Sequence, residues 1–114
     1  SEVSYYGQIW VNNCTVNQKC PNIVGAHLHY TANENSPNPD DSWTAVEAHY
    51  NENYTESPNN NEYFLSHSIA DPGHYKYVFS FDLKRNPSNS NENAQRFYCY
   101  INWDDETMGT IDVQ

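Results

Sequence analysis

Residues 75–83 read YKYVFSFDL, and large apolar side chains alternate there with mostly polar ones. Successive side chains of a β-strand point to opposite faces of the sheet, so the residues of this stretch divide into two sets. One face carries Tyr75, Tyr77, Phe79, Phe81 and Leu83. The other carries Lys76, Val78, Ser80 and Asp82. This two-residue period predicts a β-strand with its aromatic face toward a core.

Similar but shorter stretches recur along the chain, and residues that favour turns separate them. The predicted strands are residues 6–12, 23–31, 43–50, 62–69, 75–83, 95–103 and 109–113. Polar loops are predicted over 32–42, 51–61 and 84–96. Seven or eight strands of this kind predict one all-β domain over residues 1–114, an antiparallel β-sandwich of the immunoglobulin-like kind.

The composition is that of an acidic domain with many aromatic rings. Fifteen Asp and Glu against five Lys and Arg give a formal net charge of −10 at pH 7. Phosphate backbones and anionic membrane surfaces repel such a protein, so we expect neither a nucleic-acid partner nor a membrane partner. The mean hydropathy of −0.94 alone would suggest disorder, but 15% of the residues are aromatic and disordered chains are poor in them.

The cysteines and two tripeptides give hints about the compartment. Cys14 and Cys20 are close enough in sequence to close a small loop, and either of them could instead bond to Cys99. Asn13-Cys14-Thr15 and Asn53-Tyr54-Thr55 both fit the N-glycosylation acceptor pattern. Together these features favour a secreted, extracellular glycoprotein.

Two acidic clusters are candidates for acid–base hydrolysis of a glycoside, Asp40-Asp41 and Asp104-Asp105-Glu106. Such hydrolysis usually needs a deep cleft, and short acidic runs are more typical of solvated turns. The sequence contains no Gly-x-Ser-x-Gly element, and no histidine adjoins a cysteine. We therefore expect no catalytic residue, no enzyme activity and no cofactor.

His27 and His29 lie two residues apart on a predicted strand, so both point to one face and could chelate a metal. A third ligand would have to come from His49, His67 or His74. The alternative is a polar outer face, with Leu28 and Tyr30 facing the core. This alternative is the more common one, and we expect no metal site.

Trp43 and Trp103 each lie at a junction between a loop and a strand, next to carboxylates. One interpretation is that each indole is buried as a cap on the core. The other is that both are exposed, flat apolar platforms. The C–H groups on the face of a pyranose can stack on an indole, while neighbouring carboxylates and amides take the hydroxyls.

Several segments, taken in order, carry a family resemblance. They are 7–13 (GQIWVNN) with Lys19, 29–31 (HYT), 41–43 (DSW), 62–69, 77–83, 102–105 (NWDD) and 111–113. In these segments the chain resembles the family 21 carbohydrate-binding modules, the starch- and glycogen-binding domains. The resemblance implies an eight-stranded immunoglobulin-like sandwich that binds α-glucans without cleaving them, with a linked glycoside hydrolase domain as one potential partner.

The resemblance also implies which residues bind the glucan. The family pairs the Trp of its D-x-W element with an aromatic residue near the end of the chain, followed by acidic or amide residues. The implied carbohydrate-binding residues are Trp43, Trp103, Asp104, Asp105, Asn102 and Tyr77. A second site would use Tyr50 and Tyr63, and the loop over 84–96 could shade or extend the main site. The alternative function is a secreted protein–protein interaction or adhesion domain with a tyrosine-rich surface.

Overall fold

The computed structural model describes residues 2–33, 35–99 and 108–114. These described residues form eight β-strands and no helix, and so contain no apolar helix that could cross a membrane. In chain order the strands are β1 (Val3–Ile9), β2 (Ile23–Thr31), β3 (Thr44–Glu47), β4 (His49–Tyr50), β5 (Asn61–His67), β6 (Gly73–Leu83), β7 (Gln95–Cys99) and β8 (Gly109–Val113).

The strands form two antiparallel sheets. The first has three strands in the order β1-β5-β4, and the second has five strands built around β6. In the second sheet β2 pairs with one side of β6 and with β3 beyond it. On the other side of β6, β8 pairs with the first half and β7 with the second half. The prediction of an all-β antiparallel sandwich is confirmed, and β1 and β7 are edge strands.

The predicted strand over residues 43–50 is in fact two strands in different sheets. β3 pairs with β2, whereas β4 pairs with β5. Ala48 lies between them, is 5% exposed, and donates its amide N–H to the carbonyl of Ala26 at 2.9 Å. The chain therefore crosses from one sheet to the other at a small buried residue, and a two-residue period gives no sign of such a crossing.

The core between the sheets is built largely from aromatic rings. Its buried members are Tyr5, Cys20, Ile23, Ala26, Leu28, Tyr30, Ala48, Tyr63, Leu65, Tyr75, Phe79 and Phe81. Gly7 of β1 lies directly against the ring of Phe79, because a Cβ at position 7 would be 2.6 Å from Phe79 Cγ. The aromatic face predicted for residues 75–83 thus packs against the first sheet, and a glycine lets β1 approach it closely.

The disulfide joins Cys14 to Cys20, which settles the pairing that the sequence left open. Cys99 is a free, half-buried thiol on β7, and burial raises its pKa. The disulfide loop is tied to the first sheet, because the amide N–H of Cys20 donates to Asn61 Oδ1 at 2.8 Å. The buried hydroxyl of Thr15 makes a second link, to the loop just before β5, by donating to the carbonyl of Asn59 at 2.7 Å.

Candidate functional site

Trp43 does not form an exposed platform. Trp43 is 5% exposed, and its indole N–H donates to Ser36 Oγ at 2.8 Å. The Lys76 ammonium lies 5.6 Å from the centre of the ring, on the face of β6 that points away from the inter-sheet core. The prediction of an exposed indole at this position is therefore wrong. The loop that precedes β3 folds back and supplies Ser36 as a hydrogen-bond partner for the indole N–H. Burying the large ring therefore leaves no unpaired N–H, which would be unfavourable.

Four other predicted glucan ligands lie outside the described residues: Asn102, Trp103, Asp104 and Asp105. Their role stays a prediction. The described residues that flank this segment lie beside the middle of β6, because Cys99 pairs with Phe79 and Gly109 pairs with Tyr77.

Tyr77 is half-buried and belongs to the margin of the inter-sheet core. Its ring meets that of Tyr5 edge-on at 5.9 Å. Gly109 of β8 covers the ring so closely that a Cβ there would lie 2.2 Å from it. The two neighbours hold Tyr77 in place within the sandwich, so at most part of its ring is accessible to a ligand.

The two tyrosines predicted for a second site differ in exposure. Tyr63 is 5% exposed, and its hydroxyl has no hydrogen-bond partner among the described residues. Burial, with a smaller contribution from Tyr50, raises the pKa of Tyr63 to about 12. Tyr50 is half-buried, and the Lys19 ammonium lies 5.1 Å from its ring centre. An aromatic surface shared by these two residues is therefore not present, because Tyr63 is part of the core.

The histidine pair on β2 has the orientation that its spacing predicts. Leu28 is fully buried and Tyr30 is 9% exposed, and both belong to the inter-sheet core. His27 and His29 point to the other face of the second sheet, where their ring centres are 6.1 Å apart. Among the described residues, no group of three or more His, Cys, Asp or Glu is close enough to hold a metal ion.

His29 is buried on this outer face, which the sequence did not indicate. It is 4% exposed and shares a hydrogen bond of 2.7 Å between its Nε2 and Ser80 Oγ. The ring of Tyr98 packs edge-on against it at 5.5 Å. Burial, helped by the nearby Arg96 guanidinium, lowers the pKa of His29 to about 4. The histidine therefore serves a structural role as a neutral, hydrogen-bonded group.

The acidic pair at residues 40–41 fits the turn interpretation. Asp40 accepts hydrogen bonds from both the hydroxyl and the backbone N–H of Ser42, and these bonds lower its pKa. A carboxylate held in this way stabilises the turn before β3.

Among the described residues, the exposed aromatic rings lie elsewhere, on β1, β7 and the residue after β1. Tyr6 is 58% exposed, Trp10 is 59% exposed and Phe97 is 45% exposed. Trp10 and Phe97 line one open groove of about 570 Å³ between the edge strands of the two sheets, together with Val11 and Leu83. We call this the edge groove. Its surface is mainly apolar side chain, and its size falls within the range of roughly 300–1,000 Å³ that is typical of ligand sites.

The edge groove continues into a second, more polar space of about 580 Å³. Val11, Asn12, Leu83 and Phe97 line both spaces. Side-chain amides and charged groups line the polar end: Asn12, Asn13, Asn22, Asn93, Gln95, Lys84, Arg85 and Glu92. The edge groove thus has rings at one end and many hydrogen-bonding groups at the other.

Two residues fix the backbone at the polar end. The side-chain amide of Asn22 donates to the carbonyls of Lys84 and Arg85 at 2.9 and 3.0 Å. Glu92 accepts hydrogen bonds from the backbone N–H groups of Asn86 and Arg85, which lower the pKa of its carboxyl. The long loop after β6 is therefore held in place beside the edge groove by hydrogen bonds to side chains.

Trp10 is a candidate that sequence reasoning missed. The strand predicted over 6–12 contains it, but no sequence argument gives it a role of its own. A signal is nevertheless present, because Gln8, Trp10 and Asn12 alternate with Ile9 and Val11. A face shared with Gln and Asn is the solvent face of a strand, so a tryptophan on it is exposed.

No family model, curated protein or solved structure matches this chain. The function is therefore inferred from the sequence and from the geometry of the described residues.

Proposed function

We propose that the protein is a non-catalytic carbohydrate-binding module that takes an α-1,4-glucan such as starch, glycogen or a maltooligosaccharide in the edge groove. The observation that carries the proposal is the exposed indole of Trp10 facing the same groove as the exposed ring of Phe97. A pyranose presents C–H groups on its flat face, and burying that face against an aromatic ring is favourable. The hydroxyls at the rim of the sugar need donors and acceptors together, which amide side chains provide.

The net charge supports a neutral ligand. At −10 the chain repels polysaccharides that carry uronate or sulfate groups, whereas a glucan has no charge to be repelled. The choice of an α-1,4-glucan among neutral polysaccharides rests on the family resemblance. A linked glycoside hydrolase domain and secretion are parts of the same proposal. The Cys14–Cys20 disulfide supports an oxidising compartment.

The alternative, an interaction domain with a tyrosine-rich surface, has less support from the structure. Four of the ten tyrosines are buried members of the inter-sheet core, and Tyr77 packs against it. A surface made of the remaining tyrosines is therefore smaller than the composition suggests.

The deciding experiment is titration calorimetry with β-cyclodextrin and maltoheptaose, using cellohexaose and a chitin oligosaccharide as comparisons. Trp10→Ala is compared with Tyr6→Ala, because the two rings are equally exposed but Tyr6 does not line the edge groove. Both side chains are exposed, so both variants should fold.

The expected loss follows from the area of the ring. A tryptophan buries up to roughly 250 Å² when fully covered, and about 150 Å² of this is free at 59% exposure. A sugar covers one face, or about 75 Å², which at about 25 cal/mol per Å² corresponds to ~2 kcal/mol. Trp10→Ala should therefore weaken α-glucan binding about 30-fold, and Tyr6→Ala by less than about twofold. Absence of α-glucan binding by the unmodified protein would reject the proposed ligand, and equal losses in both variants would reject the groove.

A further inference from the structure

The exposed ring of Tyr6 does not line the edge groove, although Gln8, two residues further along β1, does. On the outer face of the first sheet, Tyr6 of β1 is paired with Phe64 of β5, and their rings stack 6.0 Å apart with planes 15° from parallel. The next outward pair along these strands is Gln8 and Glu62. Tyr6 is 58% exposed, so one face of this stacked pair is open to solvent.

The loop that follows β4 is anchored beside this ring. The side-chain amide of Asn51 donates to Glu62 Oε1 at 2.9 Å, and its backbone N–H donates to the carbonyl of Glu62 at 2.8 Å. Asn51 Oδ1 in turn accepts the backbone N–H of Asn53 at 3.1 Å. The hydroxyl of Tyr54 donates to Gln8 Oε1 at 3.0 Å. These bonds hold Asn53 over the outer face of the first sheet.

Asn53 and Tyr6 line the same open space of about 490 Å³, together with Asn51, Thr55 and Glu62. Asn53 and Thr55 are exposed, and they are the first and third residues of an N-glycosylation acceptor tripeptide. The side-chain amide of Asn53 makes no hydrogen bond within the described part of the chain, whereas its backbone N–H is used. The acceptor nitrogen is therefore free, and it lies beside an unoccupied aromatic face.

The other tripeptide of this kind has a different environment. Thr15 is fully buried, and its hydroxyl both donates to the carbonyl of Asn59 and accepts the backbone N–H of Val11 at 2.9 Å. Cys14 is in the disulfide, and Asn13 has a left-handed φ of 60°. Asn13 also lines the polar end of the edge groove, where a glycan would obstruct the proposed ligand site.

We propose that Asn53 is an N-glycosylation site and that the first N-acetylglucosamine of its glycan packs on the open face of Tyr6. The donor is an oligosaccharide linked to a polyprenyl pyrophosphate. The bond between the anomeric carbon and the pyrophosphate oxygen breaks, and its electron pair leaves with the pyrophosphate. A bond forms between that carbon and Asn53 Nδ2, which loses one proton. The glycan then covers an apolar ring that is not part of the lining of the edge groove.

The first test is the mass of the protein secreted by a yeast or mammalian cell, before and after digestion with peptide N-glycosidase. Thr55→Ala removes the acceptor signal but keeps Asn53, and it should remove one glycan. Asn13→Gln, which removes the acceptor asparagine of the other tripeptide, should leave the Asn53 glycan in place. Masses of the unmodified protein and Thr55→Ala that differ only by the Thr-to-Ala change itself would overturn the site.

The second test concerns packing on Tyr6, and it uses a double-mutant cycle read by thermal unfolding. With Tyr6 present, the glycosylated protein should unfold about 4 °C higher than Thr55→Ala, as expected for one added aromatic contact in a domain of this size. In a Tyr6→Ser background this difference should fall below about 1 °C, and in a Trp10→Ala background it should persist. A difference of the same size with and without the Tyr6 ring would overturn the packing. Neither test uses a glucan, so failure here is distinct from failure of the proposed function.

Discussion

Replacing Trp43 by Phe separates a buried indole from a ligand platform, because the two roles predict opposite results. In the structure, the change removes the N–H that donates to Ser36 Oγ at 2.8 Å. That loss costs about 1 kcal/mol, because Ser36 keeps its weaker bond to the carbonyl of Asn38 at 3.4 Å. The smaller ring also gives up roughly 50 Å² of buried area, or ~1 kcal/mol, and leaves a small cavity. The expected destabilisation is therefore about 2–3 kcal/mol.

The assay pairs urea unfolding at pH 7 with calorimetric binding of β-cyclodextrin. Trp43→Phe should lose about 2–3 kcal/mol of stability and keep its glucan affinity within about twofold. Trp10→Phe, the same chemical change at the 59% exposed indole, should show the reverse, with stability within about 0.5 kcal/mol and weaker binding. An unchanged stability for Trp43→Phe together with a tenfold loss of affinity would refute the assignment of Trp43 to the protein interior.

Two further predictions concern stability alone. The pKa of His29 is lowered from 6.5 to about 4, so the unfolded chain binds a proton at this residue more readily than the folded protein does. The free energy of unfolding is therefore highest above pH 6.5, and about 3 kcal/mol of it is lost as the pH falls toward 4. Urea unfolding from pH 7.5 to 4.5 measures this loss. If the free energy of unfolding of His29→Gln falls with pH as steeply as that of the unmodified protein, the assignment to His29 is wrong. Gly7→Ala should cost about 1–3 kcal/mol, because its Cβ would meet the Phe79 ring at 2.6 Å. Gly25→Ala should cost less, because the nearest atom to its Cβ would be a carboxylate oxygen of Asp82 at 3.0 Å. If urea unfolding shows equal losses of stability for the two variants, the close packing of β1 against Phe79 is contradicted.

The sheet architecture was predictable because it depends on local alternation. The period over residues 75–83 correctly gave the face of β6 that joins the core, and the spacing of His27 and His29 correctly gave the side of β2 to which they point. Burial on the other face of the second sheet, which points away from the inter-sheet core, depends on contacts between residues far apart in sequence. Val78 is 2% exposed and Ser80 is fully buried, although both lie on the face opposite the core.

The candidate site was less predictable for the same reason. A tryptophan at a junction between a loop and a strand is exposed or buried according to how the loop folds, and at Trp43 the loop returns with Ser36 to bind the indole. At Trp10 the information was local, because its strand face is shared with Gln8 and Asn12. Phe97 pairs with the fully buried Phe81, which would suggest that it is buried as well. It is exposed because β7 is an edge strand, which only the topology reveals.

The two proposed carbohydrate contacts use different exposed rings along β1, and Gln8 lies between them and lines the edge groove. Tyr6 and Gln8 point outward from the first sheet, and the loop that carries Asn53 is bonded to Gln8 through Tyr54. Trp10 lies after the end of β1 and faces β7 across the edge groove. A glycan on Asn53 would therefore cover the exposed ring of Tyr6 while leaving Trp10 open. If the glycosylated protein and Thr55→Ala bind β-cyclodextrin equally, the edge groove remains accessible beside the glycan. A glycan that weakens binding more than about tenfold would mean that the ligand extends from Trp10 to the outer face of the first sheet.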